Sequence, residues 1–199
     1  ISMLIFLVIF VSSCTSKNAI RETINSEQGD GIMKITSPAF KNNENIPKKY
    51  TCDGENVNPP LTISDVPKEA KILALIVDDP DAPRGTFTHW VVFDIGRLEG
   101  DYGSIEIEEN VGPANKIIVG RSNSLFVRGA VEGVTSSGKS GYSGPCPPSG
   151  THRYFFKIYA LDIPTVPFRT HDAPTKELLE KLIRNHILAK AELIGLYGR

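Results

Sequence analysis

A mostly β sandwich with a small helical appendage toward the C-terminal end is the fold this 199-residue sequence predicts. Three observations carry it. Seventeen glycines and fourteen prolines imply many turns, and therefore short strands joined by shaped loops. The apolar runs between them have strand length and are rich in β-branched and aromatic residues. Only one stretch repeats its apolar residues with a helical period, and it follows every strand-like run. Hydrophobic residues make up 40% and charged residues 23%, the balance of a chain that folds around one core, which excludes collagen, wholesale disorder and a multi-span membrane protein. Twenty-two Lys and Arg face twenty-three Asp and Glu, a formal net charge of -1 without the basic footprint of phosphate-backbone binding, so no nucleic-acid partner is expected.

Taken in order, Met3 to Val11 form an unbroken apolar run, too short for a permanent span but of the length of a signal-peptide hydrophobic region. Val11-Ser12-Ser13-Cys14 follows and resembles the bacterial lipobox. Residues 1–13 are therefore expected to be a lipoprotein signal peptide and Cys14 the lipidated N-terminus of the mature chain, with a cleaved secreted protein and an uncleaved anchor as alternatives. Residues 14–31 are polar and aperiodic, as a flexible tether would be, and residues 32–199 form the domain. The expected location is the bacterial cell envelope, extracytoplasmic and lipid-anchored. In such an oxidising compartment Cys52 and Cys146 are free to form a disulfide, while two buried thiols remain the alternative.

Lys71–Asp78 reads as a buried strand between Pro67 and Asp79-Pro80, and Thr88–Ile95 as a second, ended by Gly96. Ser104–Glu108 alternates isoleucine with glutamate, a strand with one wet face, and Tyr154–Leu161 closes the set before Asp162-Ile163-Pro164. Between them, residues 119–151 form a long Gly-, Ser- and Pro-rich segment of the kind that carries function. The helix is expected from Thr175 to about Leu193. Leu178, Leu179, Leu182, Ile183, His186 and Ile187 make its apolar stripe, Asp172 or Thr175 its cap, and Pro174 stands near its first turn. His171 and His186 are expected to serve packing.

Gly133-Val-Thr-Ser-Ser-Gly138-Lys139-Ser140 spells a P-loop, but Gly-Tyr-Ser-Gly-Pro-Cys-Pro-Pro follows where a helix must start, so phosphate binding of that kind is rejected. No Gly-x-Ser-x-Gly turn, Cys-x-x-Cys pair or His-Glu-x-x-His spacing is present. The polar residues that suggest chemistry stand where strands meet proline-rich loops. Asp79 and Asp81 lie in Asp-Pro-Asp-Ala-Pro83, His89 opens one strand, and His152 and Tyr154 open another. In an extended segment residues two apart share a face, so His152 and Tyr154 project together and Arg153 points away. Pro80, Pro83, Pro145, Pro147 and Pro148 stiffen the two rims, lowering the entropy lost when a ligand orders them.

Asp79-Pro-Asp-Ala-Pro83, His89-Trp-Val-Val, Gly144-Pro-Cys-Pro-Pro148 and His152-Arg-Tyr154, in this order, resemble the phosphatidylethanolamine-binding protein family, also called Raf-kinase-inhibitor-like, in its bacterial branch. Tyr50-Thr-Cys-Asp-Gly-Glu-Asn56 with Pro59-Pro-Leu is similar to the N-terminal block of that branch, and Ala189 to Tyr197 to its closing helix, so the resemblance runs from about Lys34 to the end. It implies a sandwich of Greek-key antiparallel sheets and a pocket for phosphate, phosphonate or acetate-like anions and the head group of phosphatidylethanolamine. Asp79, Pro83, His89, His152 and Tyr154 would line that pocket, with Trp90 and Asp81 nearby, and with no cofactor, metal or catalysis. One departure is Thr135-Ser-Ser-Gly138, where the branch carries Asn-Asp-Phe-Gly. The partners implied are the small ligand and the membrane, with a second copy of the chain as a further candidate. A phosphoester hydrolase using the same Asp, His and Tyr side chains, and an inhibitor module for a protease or other protein, stand as alternatives.

Overall fold

The computed structural model describes residues 32–96, 104–111, 117–119, 130–169 and 174–199. The signal peptide, the tether, Cys14, His171 and the Asp172 cap expected above lie outside these residues. Among the described residues are ten strands, one α-helix and a 3-10 turn at Lys48–Tyr50: β1 (Lys34–Thr36), β2 (Glu44–Asn45), β3 (Leu61–Ser64), β4 (Ile72–Asp79), β5 (Phe87–Ile95), β6 (Ser104–Ile107), β7 (Ile117–Val119), β8 (Val131–Glu132), β9 (Thr151–Leu161), α1 (Lys176–Ile183) and β10 (Ile187–Gly198). They build a four-stranded sheet in the order β1-β3-β6-β7 and a six-stranded sheet in the order β2-β10-β9-β4-β5-β8. All pairings are antiparallel except β2 with β10.

The strand at the centre explains the architecture. Every residue of β4 is buried, because both faces of the larger sheet are covered. Leu73, Leu75 and Val77 meet Leu61, Ile63 and Ile105 of the smaller sheet in the interior of the sandwich. Ile72, Ala74 and Ile76 join Val91, Phe93 and Leu161 on the opposite face, against Leu179 and Ile183 of α1. A strand covered on both sides has no reason to alternate polar and apolar residues, which is why this run is uniformly hydrophobic.

The helix is shorter than the sequence predicts, and the closing segment of the chain is a strand. Thr175 Oγ1 caps α1 by accepting from Leu178 N at 3.4 Å. After Ile183, the His186 N–H bonds to the Ile183 carbonyl at 2.8 Å and β10 begins at Ile187. The expectation of a helix to Leu193 followed the apolar stripe from Leu178 to Ile187, and the Ala, Lys, Glu and Leu residues beyond it are good helix formers. A ladder with β9 from Ile187↔Leu161 to Gly198↔Thr151 overrides it. The alternation is legible afterwards, since Ala189, Ala191 and Leu193 pack on the core while Lys190 and Glu192 lie between them in the sequence. Gly195 fits no other residue: a Cβ there would stand 2.4 Å from Ile46 Cγ1. His186, placed on the apolar stripe by the sequence, instead sits beyond the helix with Nδ1 2.9 Å from Asp162 Oδ1.

The four strands marked in the sequence correspond to β4, β5, β6 and β9 to within a few residues, β9 starting at Thr151 rather than Tyr154, whereas β1, β2, β3, β7 and β8 were not anticipated, and β8 lies within the segment read as a long loop. The Thr135–Lys139 loop closes on itself, with Thr135 N–H on the Lys139 carbonyl and Gly138 N–H on the Thr135 carbonyl, both at 2.9 Å. No helix follows it, and Val134 bridges Ser140. Cys52 and Cys146 are joined, with Cα atoms 5.4 Å apart, so of the two readings left open the disulfide holds.

Candidate functional site

β4 ends beside the start of β5, and a bulge there gives the site its shape. Val77 pairs with Trp90 and Asp78 with Thr88, so His89 is one residue more than its partner strand has. An inserted residue breaks the period of two and re-aims the side chains around it. Thr88 can then face Asp78, on the helix side of the sheet, with Oγ1 3.3 Å from Asp78 Oδ1, while His89 turns to the opposite side and lays its ring against Tyr154. The His89 ring stands between that of Phe87, at a centroid distance of 4.7 Å, and that of Tyr154, at 5.2 Å.

Here a pocket of about 160 Å³ opens, lined by Asp79, Pro83, Phe87, His89, Gly144 and His152 together with Ala82, Ser143 and the Cys146 to Pro148 wall. Asp79 is the last residue of β4, and its carboxylate is fixed from two sides. Oδ2 is 2.7 Å from His152 Nδ1, and Oδ1 accepts from the Asp81 N–H at 2.8 Å, the turn that Pro80 requires. The two side chains are nearly buried, His152 at 10% exposure and Asp79 at 5%. His89 donates from Nδ1 to the Ser143 carbonyl at 2.6 Å, which leaves Nε2 free to act as acceptor in the neutral ring. Burial pushes the His89 imidazole below its usual range, against the opposing pull of the Ser143 carbonyl and of Asp79 and Asp78.

Tyr154 lies one residue pair deeper on β9, and its fully buried hydroxyl has no hydrogen-bond partner among the described residues. Burial, followed by the charge of Asp79, pushes the phenol well above its ordinary range, so it stays protonated and is a donor in want of an acceptor. Of the residues singled out in the sequence, Asp79, Pro83, His89 and His152 line one pocket, and Tyr154 supports it through His89. Two do not line it. Asp81 turns outward to hold Arg153, with Oδ2 accepting from Nε at 2.9 Å and from the Arg153 N–H at 3.0 Å, because Pro80 ends the strand alternation that Asp79 and Asp81 would otherwise share. Hydrogen bonds and charge from Arg153, outweighing partial burial, hold the Asp81 carboxyl down at about 2. Trp90 is wholly buried in the sandwich, its Nε1 donating to Glu132 Oε1 at 3.0 Å. The bulge puts it on the same side as His89, but one step further into the core.

The sequence reading left out Phe87, Ser143 and Gly144 as site residues. Ser143 serves through its backbone carbonyl, for which no side-chain signal exists. Gly144 could have been found, since it opens the Gly-Pro-Cys-Pro-Pro block: its N–H donates to Asn56 Oδ1 at 2.8 Å, and a Cβ there would stand 2.6 Å from both that oxygen and the Tyr50 carbonyl.

Residues 36–198 match the family described as phosphatidylethanolamine-binding protein. Among curated relatives, a UPF0098 protein of Methanothermobacter thermautotrophicus is 47% identical over 167 residues, covering 84% of this chain and 99% of that one. Two crystal structures are similar over nearly their whole length. The phosphatidylethanolamine-binding protein homologue CT736 of Chlamydia trachomatis superposes with a TM-score of 0.68 at 37% identity, covering 85% of this chain and 99% of its own. YbcL of E. coli, described as a new member of the mammalian family, gives a TM-score of 0.68 at 29% identity, covering 84% and 98%. With two sheets, a pocket at the strand ends of the larger one and a match over nearly all the described residues, the chain belongs to the phosphatidylethanolamine-binding protein family.

Proposed function

We propose that the pocket binds a small oxyanion, inorganic phosphate or the phosphate-bearing head group of a phospholipid, and holds it without chemical turnover. The observation that carries this reading is the Asp79–His152 contact at 2.7 Å in the same hollow as His89. In its imidazolium form His152 donates from Nδ1 to Asp79 and from Nε2 to a ligand oxygen, so that the charge on the ring is balanced on one side and used on the other. Neutral His89 offers an acceptor at Nε2, which suits a ligand bearing an acid O–H or an ammonium N–H. The volume of about 160 Å³ is below that of drug-sized sites, and it admits a head group while leaving acyl chains outside. The apolar run from Met3 to Val11, with Cys14 shortly after it, supports a membrane-tethered protein of the cell envelope, which would hold the pocket near lipid head groups.

Titration with inorganic phosphate and with phosphoethanolamine, followed by phosphorus NMR and calorimetry, tests the reading. Both ligands are expected to compete for one site. Replacing His89 and His152 together by Ala removes two hydrogen bonds to a charged ligand, at about 1.5 to 3 kcal/mol each, and weakens binding by about a hundredfold or more. Binding that survives this double substitution rules the proposal out. The Asp79–His152 dyad is also what a general base looks like, so the same samples are to be followed for release of phosphate from a phosphoester. Steady turnover abolished by Asp79→Asn would replace binding with hydrolysis.

A further inference from the structure

The pocket wall contains a group that head-group binding does not use. Cys146 lines the pocket between Gly144 and Pro147 and is exposed, whereas its disulfide partner Cys52 is half-buried. The two sulfurs also differ in electrostatic setting. Arg199 Nη2 stands 3.0 Å from Cys52 Sγ. The guanidinium is held there by Asp53, through Nε at 2.8 Å and a further contact from Nη2, and Asp53 also accepts from the Tyr197 hydroxyl at 2.7 Å. The Arg199 backbone pairs with Gly150 in both directions, at 3.0 and 3.2 Å, so the position of the cation is set by the main chain as well.

We infer that the Cys52–Cys146 disulfide is a thiol-exchange site, attacked at Cys146 by a low-molecular-weight thiolate with Cys52 as the leaving group. The incoming sulfur bonds to Cys146 Sγ while the bond to Cys52 Sγ breaks, and Cys52 departs with the electron pair as a thiolate beside Arg199. A second external thiolate can then attack the mixed disulfide, releasing Cys146 as a thiolate. Two small thiols are thereby oxidised to one disulfide, and the protein disulfide is reduced to two thiols. Both asymmetries favour this direction: exchange requires access to the attacked sulfur, and it is faster when the departing thiolate is the better stabilised one, here beside a guanidinium.

The consequence for the pocket rests on the head-group reading above. The disulfide ties the 144–148 wall to the 51–56 segment, alongside the Cys52 N–H on the Pro145 carbonyl at 3.1 Å and the Gly144 N–H on Asn56 at 2.8 Å. The neighbouring Ser143 carbonyl fixes the His89 ring. Breaking the tie, and leaving a small thiol on Cys146, changes the wall against which a ligand sits and lowers its affinity.

The test treats the purified oxidised protein with reduced glutathione, quenches in acid, alkylates the free thiol and maps both labels by peptide mass spectrometry. Glutathione is expected on Cys146 and the alkyl group on Cys52; glutathione on Cys52 overturns the assignment, and this readout needs no variant. Arg199→Gln is expected to slow the first step severalfold, because Cys52 then departs as the thiolate of a weaker acid. An unchanged rate in a folded variant overturns the role of Arg199. Calorimetric titration of inorganic phosphate into the oxidised and the glutathione-bearing protein separates the two ideas. Weaker binding after modification supports control of the pocket by exchange, and equal binding overturns it. If phosphate fails to bind the oxidised protein, the head-group reading and this control fall together, while the exchange site still stands or falls on the peptide map.

Discussion

His89 faces the pocket because β5 holds one residue more than β4 beside it, and no sequence rule announces that insertion. The period of two was enough to place His152 with Tyr154 and to send Arg153 outward. It failed at Asp81, where Pro80 had already ended the strand, and at Trp90, which the bulge turns to the same side as His89 but leaves in the core. Two residue-scale consequences are open to measurement. Burial keeps the His89 imidazole below its ordinary range, so as the pH falls the unfolded chain takes up this proton first. The contribution to stability is therefore complete above about pH 6.5 and is lost as the pH drops from there through the lower folded-state value. His89→Asn keeps a donor for the Ser143 carbonyl and removes the titration; urea midpoints measured on both proteins between about pH 7.5 and 5 should fall more steeply for the histidine protein. Gly144→Ala should cost about 1 to 3 kcal/mol in the same assay, since its methyl would press on Asn56 and on the Tyr50 carbonyl.

At the scale of elements, the buried strands were the most legible part, because an uninterrupted apolar run between proline and glycine has few other readings. The end of the chain was least legible. Ala189 to Leu193 carries helix propensity and strand alternation at once, and only the presence of β9 beside it decides between them. The helix that does form closes the outer face of β4 and β5. Leu179→Ala should lower stability by about 2 to 5 kcal/mol, measured by chemical denaturation, because Leu179 is wholly buried against that face. A polar clamp reinforces the same contact. Asp78, fully buried, takes Lys176 of α1 at 2.8 Å and Lys157 of β9 at 3.1 Å. Asp78→Ala leaves two cations facing each other in a partly dry site and should cost about 3 to 5 kcal/mol, whereas an isosteric Asp78→Asn, which retains oxygen and shape, should cost less.

For the whole molecule, the sequence reading reached the two-sheet sandwich and the membership of a family, but the pairing of Cys52 with Cys146 depended on a distance that no spacing supplies. That link spans 94 residues, a loop whose closure is worth about 4 to 5 kcal/mol by chain entropy. A Cys52→Ser, Cys146→Ser double variant should show most of that loss in its denaturation midpoint; an unaltered midpoint would mean that the unfolded chain is already constrained near this closure. Asp78 and Asp79 add a constraint of another kind. These consecutive acids have opposite addresses, one toward the lysines beneath the helix and the other toward the hollow that His152 borders. Sliding β4 by a single position would send each to the other's destination while turning Leu73, Leu75 and Val77 out of the interior. The alignment of this strand is thus locked by ionic and greasy side chains together, and the floor of the pocket inherits the rigidity of a strand buried along its whole length.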